Sequence, residues 1–189
     1  MNGDPFGPKR AVVAKDRISL ICLAISRISA FTMYPCIFLA FMTKCKATIN
    51  FLMTTPFSLY MVHDQHELHS FCGKFLAIDV WVHTFFHCLR WGLQGNIDLL
   101  WTNIAGISGL VALLACVLVC LPMMVQRLMR LMSYEVRKFL HITFFYIFAI
   151  AMCFHNKTSA WPNGGYNQVI LGFCIVYYTL DAAYVMFFM

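Results

Sequence analysis

Charge is scarce in this chain. Lys, Arg, Asp and Glu make up 12% of its 189 residues, where a soluble domain carries about 25%, so an ordinary water-facing globule is excluded. Acid is the scarcest, with 8 Asp and Glu against 14 Lys and Arg. Several patterns are missing as well. The apolar runs lack the alternation of period two that a membrane β-barrel needs. No C-x-x-C pair occurs among the nine cysteines, which fall mostly inside apolar runs and read as apolar fillers rather than metal ligands or disulfides. There is no G-x-G-x-x-G at a strand-to-helix turn, so no dinucleotide site is written here. No repeat, low-complexity tract or Gly/Ser linker divides the chain, which leaves one domain. The net charge of +6 forms no nucleic-acid patch.

What is present is apolar. Hydrophobic residues make up 61% of the chain and the mean hydropathy is +0.72. Five stretches stand out, at 18–42, 75–93, 99–125, 139–155 and 169–189, and most approach the roughly 20 residues a helix needs to cross about 30 Å of hydrocarbon. Lipid tolerates no unpaired backbone, so the sequence predicts an all-α integral membrane bundle of five helices, with 47–62 as the candidate for a sixth. Residues 1–17 form a polar N-terminal segment without the short apolar core and cleavage site of a signal peptide, so the first span is expected to stay in the mature chain.

Basic residues set the expected orientation. Lys44 and Lys46 follow the first span, and Arg127, Arg130, Arg137 and Lys138 lie between the third and fourth, whereas the alternate joints hold chiefly Arg90 and Lys157. The richer joints belong in the cytoplasm. The second and fourth spans then run parallel, from cytoplasm to outside. Lys9, Arg10, Lys15 and Arg17 disagree, since five spans would put them outside; an additional helix, either before these residues or at 47–62, removes the conflict, although Pro56 and the 16-residue length of 47–62 argue for an interfacial segment there. The sequon Asn156-Lys157-Thr158 falls in an outer joint beside the membrane.

Histidine carries the chemistry. His69 and His83 bracket the second span, and His141 and His155 bracket the fourth, 14 residues apart in both cases. Fourteen helical steps leave two side chains within roughly 40° on one face and about 21 Å apart along the axis. Ionisable groups at such depths usually face the bundle interior. Two parallel helices with matching histidines can each give one axial ligand to a shared iron, and this predicts two bis-histidine haems stacked across the membrane, suited to electron transfer. A histidine-lined proton channel would use the same residues. The H-x-x-H-x-x-H look of His63, His66 and His69 suggests a separate metal site less well than a haem ligand at His69.

These stretches resemble a known family. His69-Ser-Phe-Cys-Gly-Lys74, Val82-His83-Thr-Phe-Phe-His87, Tyr134-Glu-Val-Arg-Lys-Phe-Leu-His141 and Cys153-Phe-His155 are similar to the helices of the ferric reductase-like transmembrane domain shared by NADPH oxidases and metalloreductases. The resemblance spans about residues 20–189, with the paired histidines as its specific part, and marks 18–189 as the haem domain. It implies two haem b groups, held by His69 with His141 on the cytoplasmic side and by His83 with His155 on the outer side. It also implies that Arg27 and His87 are the catalytic residues beside the outer haem, with the bland alternatives of a lipid-facing arginine and an interfacial histidine. Phe148 resembles the aromatic between the haems, or is core packing. Asp181 resembles an acidic residue of the last helix, and Asp79 is expected to make a helix-to-helix hydrogen bond or to relay protons.

The resemblance further implies electrons from FAD and NADPH domains. Nothing in the sequence reads as either, so the donor is expected to be a flavoprotein domain or subunit outside these residues. Outer acceptors would be ferric or cupric ions or dioxygen; Arg27 and His87 lean towards oxygen, and the interval on the fourth span, one residue longer than the oxidase pattern, leans towards metal. The family default is the plasma membrane, with organelle membranes open. A non-catalytic membrane scaffold, alone or as an oligomer, is the competing class.

Overall fold

The computed structural model describes residues 16–56, 64–155 and 166–188. The sequon, His63 and the cations Lys9, Arg10 and Lys15 lie outside them. Eight helices make up the described residues: α1 (Arg17–Met42), α2 (Lys46–Met53), α3 (Gln65–Leu93), α4 (Leu99–Thr102), α5 (Ile104–Met124), α6 (Gln126–Leu131), α7 (Tyr134–His155) and α8 (Tyr166–Phe188). Of these, α1, α5, α7 and α8 are long and apolar enough to cross a membrane. The chain therefore has the character of a multi-pass membrane protein. Helix α3, with 29 residues, is the longest at about 44 Å. Its charged Glu67, Lys74, Asp79 and Arg90 and its histidines, His66, His69, His83 and His87, lower its hydropathy below that of the apolar set.

Local signals set the helix ends. The Asp16 carboxylate accepts from the Ser19 amide at 2.6 Å and starts α1. Residues 99–125 are not one helix, as their composition suggests, because Asn103 adopts an extended backbone and accepts from the Ala105 amide at 2.8 Å, which starts α5 and splits off α4. Helix α3 ends where Gly95 takes φ +66°, the left-handed conformation that glycine reaches without strain. The Asn96 amide then bonds Trp91 O at 2.8 Å and the Gly95 amide bonds Gly92 O at 3.1 Å, the paired closure of a Schellman motif. The fourth apolar run extends back to Tyr134, so Arg137 and Lys138 belong to α7 rather than to a joint.

The surface is inverted relative to a soluble protein. Ser19, Cys22, Ser26, Ser29, Met33, Ile37 and Ala40 form the buried stripe of α1, and Gly106, Ser108, Ala112, Ala115, Cys116 and Val119 that of α5. Large apolar side chains face outward, among them Ile28, Phe31, Leu114 and Phe173, each more than half exposed. Membrane helices pack this way because lipid offers no hydrophobic drive between them, and small residues permit close backbone approach.

Two close antiparallel helix pairs result, α1 with α3 and α5 with α7. His83, late in α3, meets the Ser26 carbonyl early in α1, and His69 meets Ala40 near the end of α1. Met33, Ile37, Phe41, Leu76, Val80, Ala112 and Phe148 fill the middle. Thr32 Oγ1 also donates to Asp79 at 2.7 Å between α1 and α3.

Helix α2 holds 8 residues, roughly 12 Å, far short of a membrane crossing; the remainder of the candidate sixth span, 57–62, lies outside the described residues. Its first turn is capped from another helix. Asp181 of α8 accepts from the amides of Ala47 at 3.2 Å and Thr48 at 2.9 Å and from Thr48 Oγ1 at 2.8 Å. Cys45, in the N-cap position, offers no side-chain bond to that turn. Burial and the neighbouring Asp181 carboxylate push its thiol up to about 11, so it stays a neutral packing group.

Candidate functional site

The small-residue helices position the histidines. A backbone carbonyl can only accept, so any ring nitrogen bonded to one carries the proton. His69 donates from Nδ1 towards Ala40 O at 3.1 Å, with Thr43 Oγ1 at 3.2 Å as a second partner. His83 donates from Nδ1 to Ser26 O at 2.8 Å, and His141 donates from Nδ1 to Val119 O at 3.0 Å. In a neutral ring this places the lone pair on Nε2. His155 differs, because its ring lies beside the Ala105 carbonyl but Nδ1 is buried without a properly formed hydrogen bond.

Rings on the two helix pairs face each other. His69 and His141 have ring centroids 5.9 Å apart at an interplanar angle of 65°, and His83 and His155 have centroids 5.7 Å apart at 66°. Matching ends therefore meet, and α3 and α7 run parallel. Phe148, 1% exposed, stands midway along α7 between His141 and His155, with its ring 6.4 Å from that of Phe145.

The separations fit a metal shared by each pair. An imidazole nitrogen binds a transition metal at about 2.0–2.1 Å, and bond lengths near 1.35 Å put the ring centre about 1.15 Å behind that nitrogen. Two rings on opposite sides of one metal then have centroids about 6.3–6.5 Å apart by the same lengths. The observed 5.9 and 5.7 Å fall about 0.4–0.8 Å short of this. Among the described residues no group of three or more His, Cys, Asp or Glu is placed to hold a metal ion. A metal held between the rings of either pair would take two protein ligands from that pair. His66 is exposed at the start of α3 and shares no such pair.

Gly109 adds a constraint that composition does not reveal. A Cβ at this position would come within 2.8 Å of His155 Cε1 and 3.1 Å of Nδ1. The missing side chain of α5 is the space the His155 ring occupies.

The His83–His155 end gathers cations. The His87 ring lies one turn beyond His83, 4.6 Å from it, and 5.5 Å from Trp91. Arg27 is exposed on α1 within electrostatic reach of His83, His87 and Arg90. Arg90 is not a joint residue, as its place after an apolar run suggests; it is fully buried in the last turn of α3, with one guanidinium nitrogen 3.2 Å from His87 Nδ1 and its charge 5.9 Å from the Trp91 ring. The opposite end is basic on its outer surface, where Lys44, Lys46, Arg127, Arg130 and Lys138 are exposed. Partial desolvation draws the Lys44 amine below the usual lysine range.

No family model, curated protein or solved structure matches the chain.

Proposed function

We propose that this chain is a transmembrane electron conduit of the ferric reductase and NADPH oxidase kind, binding two haem b groups through His69 with His141 and through His83 with His155. The observation that carries the reading is the double register of the histidines. Two parallel helices bring their rings together at two depths, with centroids 5.9 and 5.7 Å apart and planes steeply inclined to each other, and three of the four rings direct Nδ1 at a backbone carbonyl. Metal-bound histidines are commonly oriented in this way, with the second nitrogen bonded so that the ligating one is fixed. Pairs of two ligands suit iron that is already held in a macrocycle. Such iron, held by His69 with His141 and by His83 with His155, would supply one-electron reduction and reoxidation.

In this reading α3 is a fifth spanning helix whose Asp79 and Arg90 are accepted because they are turned to its partners, while Glu67 and Lys74 are exposed. The end bearing Lys44, Lys46, Arg127 and Arg130 is cytoplasmic. Electrons would enter there from a reduced flavin held by a separate domain or subunit, and a ferric or cupric ion or dioxygen would take them at the other side. The chain's own residues orient the ligands and hold Phe148 in the apolar layer between them. Arg27 and His87 provide positive charge and a hydrogen-bonding ring where the acceptor gains an electron, the kind of preorganised electrostatics that lowers barriers. Plasma membrane is the expected location.

The test is a dithionite-reduced minus oxidised spectrum with a pyridine haemochrome of the purified chain, beside His83→Ala and His155→Ala. Two b-type haems per chain, with one lost in either variant, is the expected result. A folded but colourless wild type would overturn the reading and leave a scaffold or a histidine-lined channel in its place.

A further inference from the structure

His83 and His87 sit one turn apart on α3, and their hydrogen bonds point in opposite senses. His83 gives its Nδ1 proton to Ser26 O at 2.8 Å. His87 has Nδ1 3.2 Å from a guanidinium nitrogen of Arg90, and a guanidinium has donors only and keeps its proton under all ordinary conditions. In that bond His87 Nδ1 must be the acceptor. Its remaining proton is therefore on Nε2.

We propose that Arg90 is a positioning residue that fixes His87 as an Nε2–H donor, so that His87 offers a hydrogen bond to the acceptor at the His83–His155 end. The assignment rests on the electron-conduit reading for its purpose and on the Arg90 contact for its geometry. It separates two neighbouring histidines by chemistry: one has a bare Nε2 and is fit to bind metal, and the other has a protonated Nε2 and is fit to donate. Arg90 is held for the task. It is fully buried, packed with its charge 5.9 Å from the Trp91 ring, at a helix end closed by Gly95. Arg27 adds a second positive charge within electrostatic reach of His87. The chemistry favours an acceptor with oxygen lone pairs that becomes more negative on taking one electron, a property shared by dioxygen, which would leave as superoxide, and by a ferric ion held in an oxyanion chelate.

The experiment uses the full chain in liposomes with isotope-labelled histidine, reduced by dithionite; the His87 nitrogen resonances are those missing from the His87→Gln spectrum. We expect Nδ1 of His87 among the bare imidazole nitrogens and Nε2 among the protonated ones. Arg90→Met, which cannot donate, should give a mixture of both tautomers, and Arg90→Lys should restore the single form. Reoxidation of the reduced protein by dioxygen or by ferric citrate gives a second readout. Loss of a charge-assisted hydrogen bond predicts slowing by about tenfold or more in Arg90→Met, with haem content unchanged. Slowing with one probe alone supports the assignment and names that acceptor.

A His87 whose Nδ1 carries the proton in wild type overturns the proposal without any variant. So does an Arg90→Met protein that matches wild type in both readouts. A wild-type chain lacking haem removes the electron-conduit reading, while its nitrogen spectrum still decides the Arg90 assignment.

Discussion

The two histidine pairs are built alike and surrounded differently. At one end His69 and His141 face each other with Thr43 as an extra partner for the His69 ring, and Lys44 and the Asp181-capped helix α2 lie nearby. At the other end His83 and His155 face each other beside His87, the buried Arg90 and the gap at Gly109. Ring separations differ by only about 0.2 Å and interplanar angles by about 1°. A helix repeats its face every few turns, so a spacing of 14 residues on both helices copies one geometry to two depths. Nothing in the pairs themselves makes one end a donor side and the other an acceptor side. That asymmetry has to come from the neighbours, which is where the two ends can be separated by experiment.

The largest expected effect comes from breaking one end alone. Gly109→Ala puts a methyl within 2.8 Å of His155 Cε1, so the ring has to shift from its place beside His83. On the proposed two-haem reading, haem content should fall from two to one per chain, the outcome also expected for His155→Ala, with the His69–His141 site intact. Retention of both haems with unchanged spectra would show that the ring has room the structure does not provide. A smaller effect should follow Arg27→Gln. A positive charge near a redox centre stabilises its reduced form, so removing one should lower the midpoint potential of the nearer of the two proposed haems, by on the order of tens of millivolts for an exposed charge. Redox titration should show that component shifting down and the other unmoved. Equal shifts in both would place Arg27 between the ends rather than at one.

Much of this architecture was legible in the sequence, for reasons particular to each element. Four apolar runs became α1, α5, α7 and α8 because length and hydropathy are local properties. The meeting of His69 with His141 and His83 with His155 follows from equal spacing on two parallel helices. Asp79 could be expected to seek a partner on another helix, and Thr32 is that partner. Asn103 carried a readable signal as well, since an Asn before an apolar run is a common helix start, but the continuous run around it hid the break. Other features depend on which helices pack. Arg90 looks like an exposed charge until α3 is seen to keep it inside. Gly109 is one small residue in an apolar run until His155 fills its place. The carbonyls of Ser26, Ala40 and Val119 are main-chain atoms with no trace in residue identity. Asp181 announced a need for a partner, yet two of its three partners are backbone amides of α2, the third being the Thr48 hydroxyl.

The finest distinction between the ends lies at Thr43. Its hydroxyl donates to Ala40 O at 2.9 Å and stands 3.2 Å from His69 Nδ1, so the His69 proton is shared between the Ala40 carbonyl and the Thr43 oxygen. His83 has one such carbonyl partner and no hydroxyl among its hydrogen bonds. A hydrogen bond accepted from Nδ1–H makes the ring a stronger donor at Nε2, which favours oxidised iron and lowers the potential. Thr43→Val keeps the shape and removes the oxygen. The Ala40 carbonyl remains, so the ring should stay in place and both haems should be retained. The potential of the His69–His141 site should rise by less than about 60 mV, the equivalent of a tenfold change in equilibrium for a one-electron couple. That of the other site should not move. A fall at the first site, or a rise at the second, would mean that Thr43 acts by some route other than the His69 proton, and the ends would then owe their difference to the cations alone.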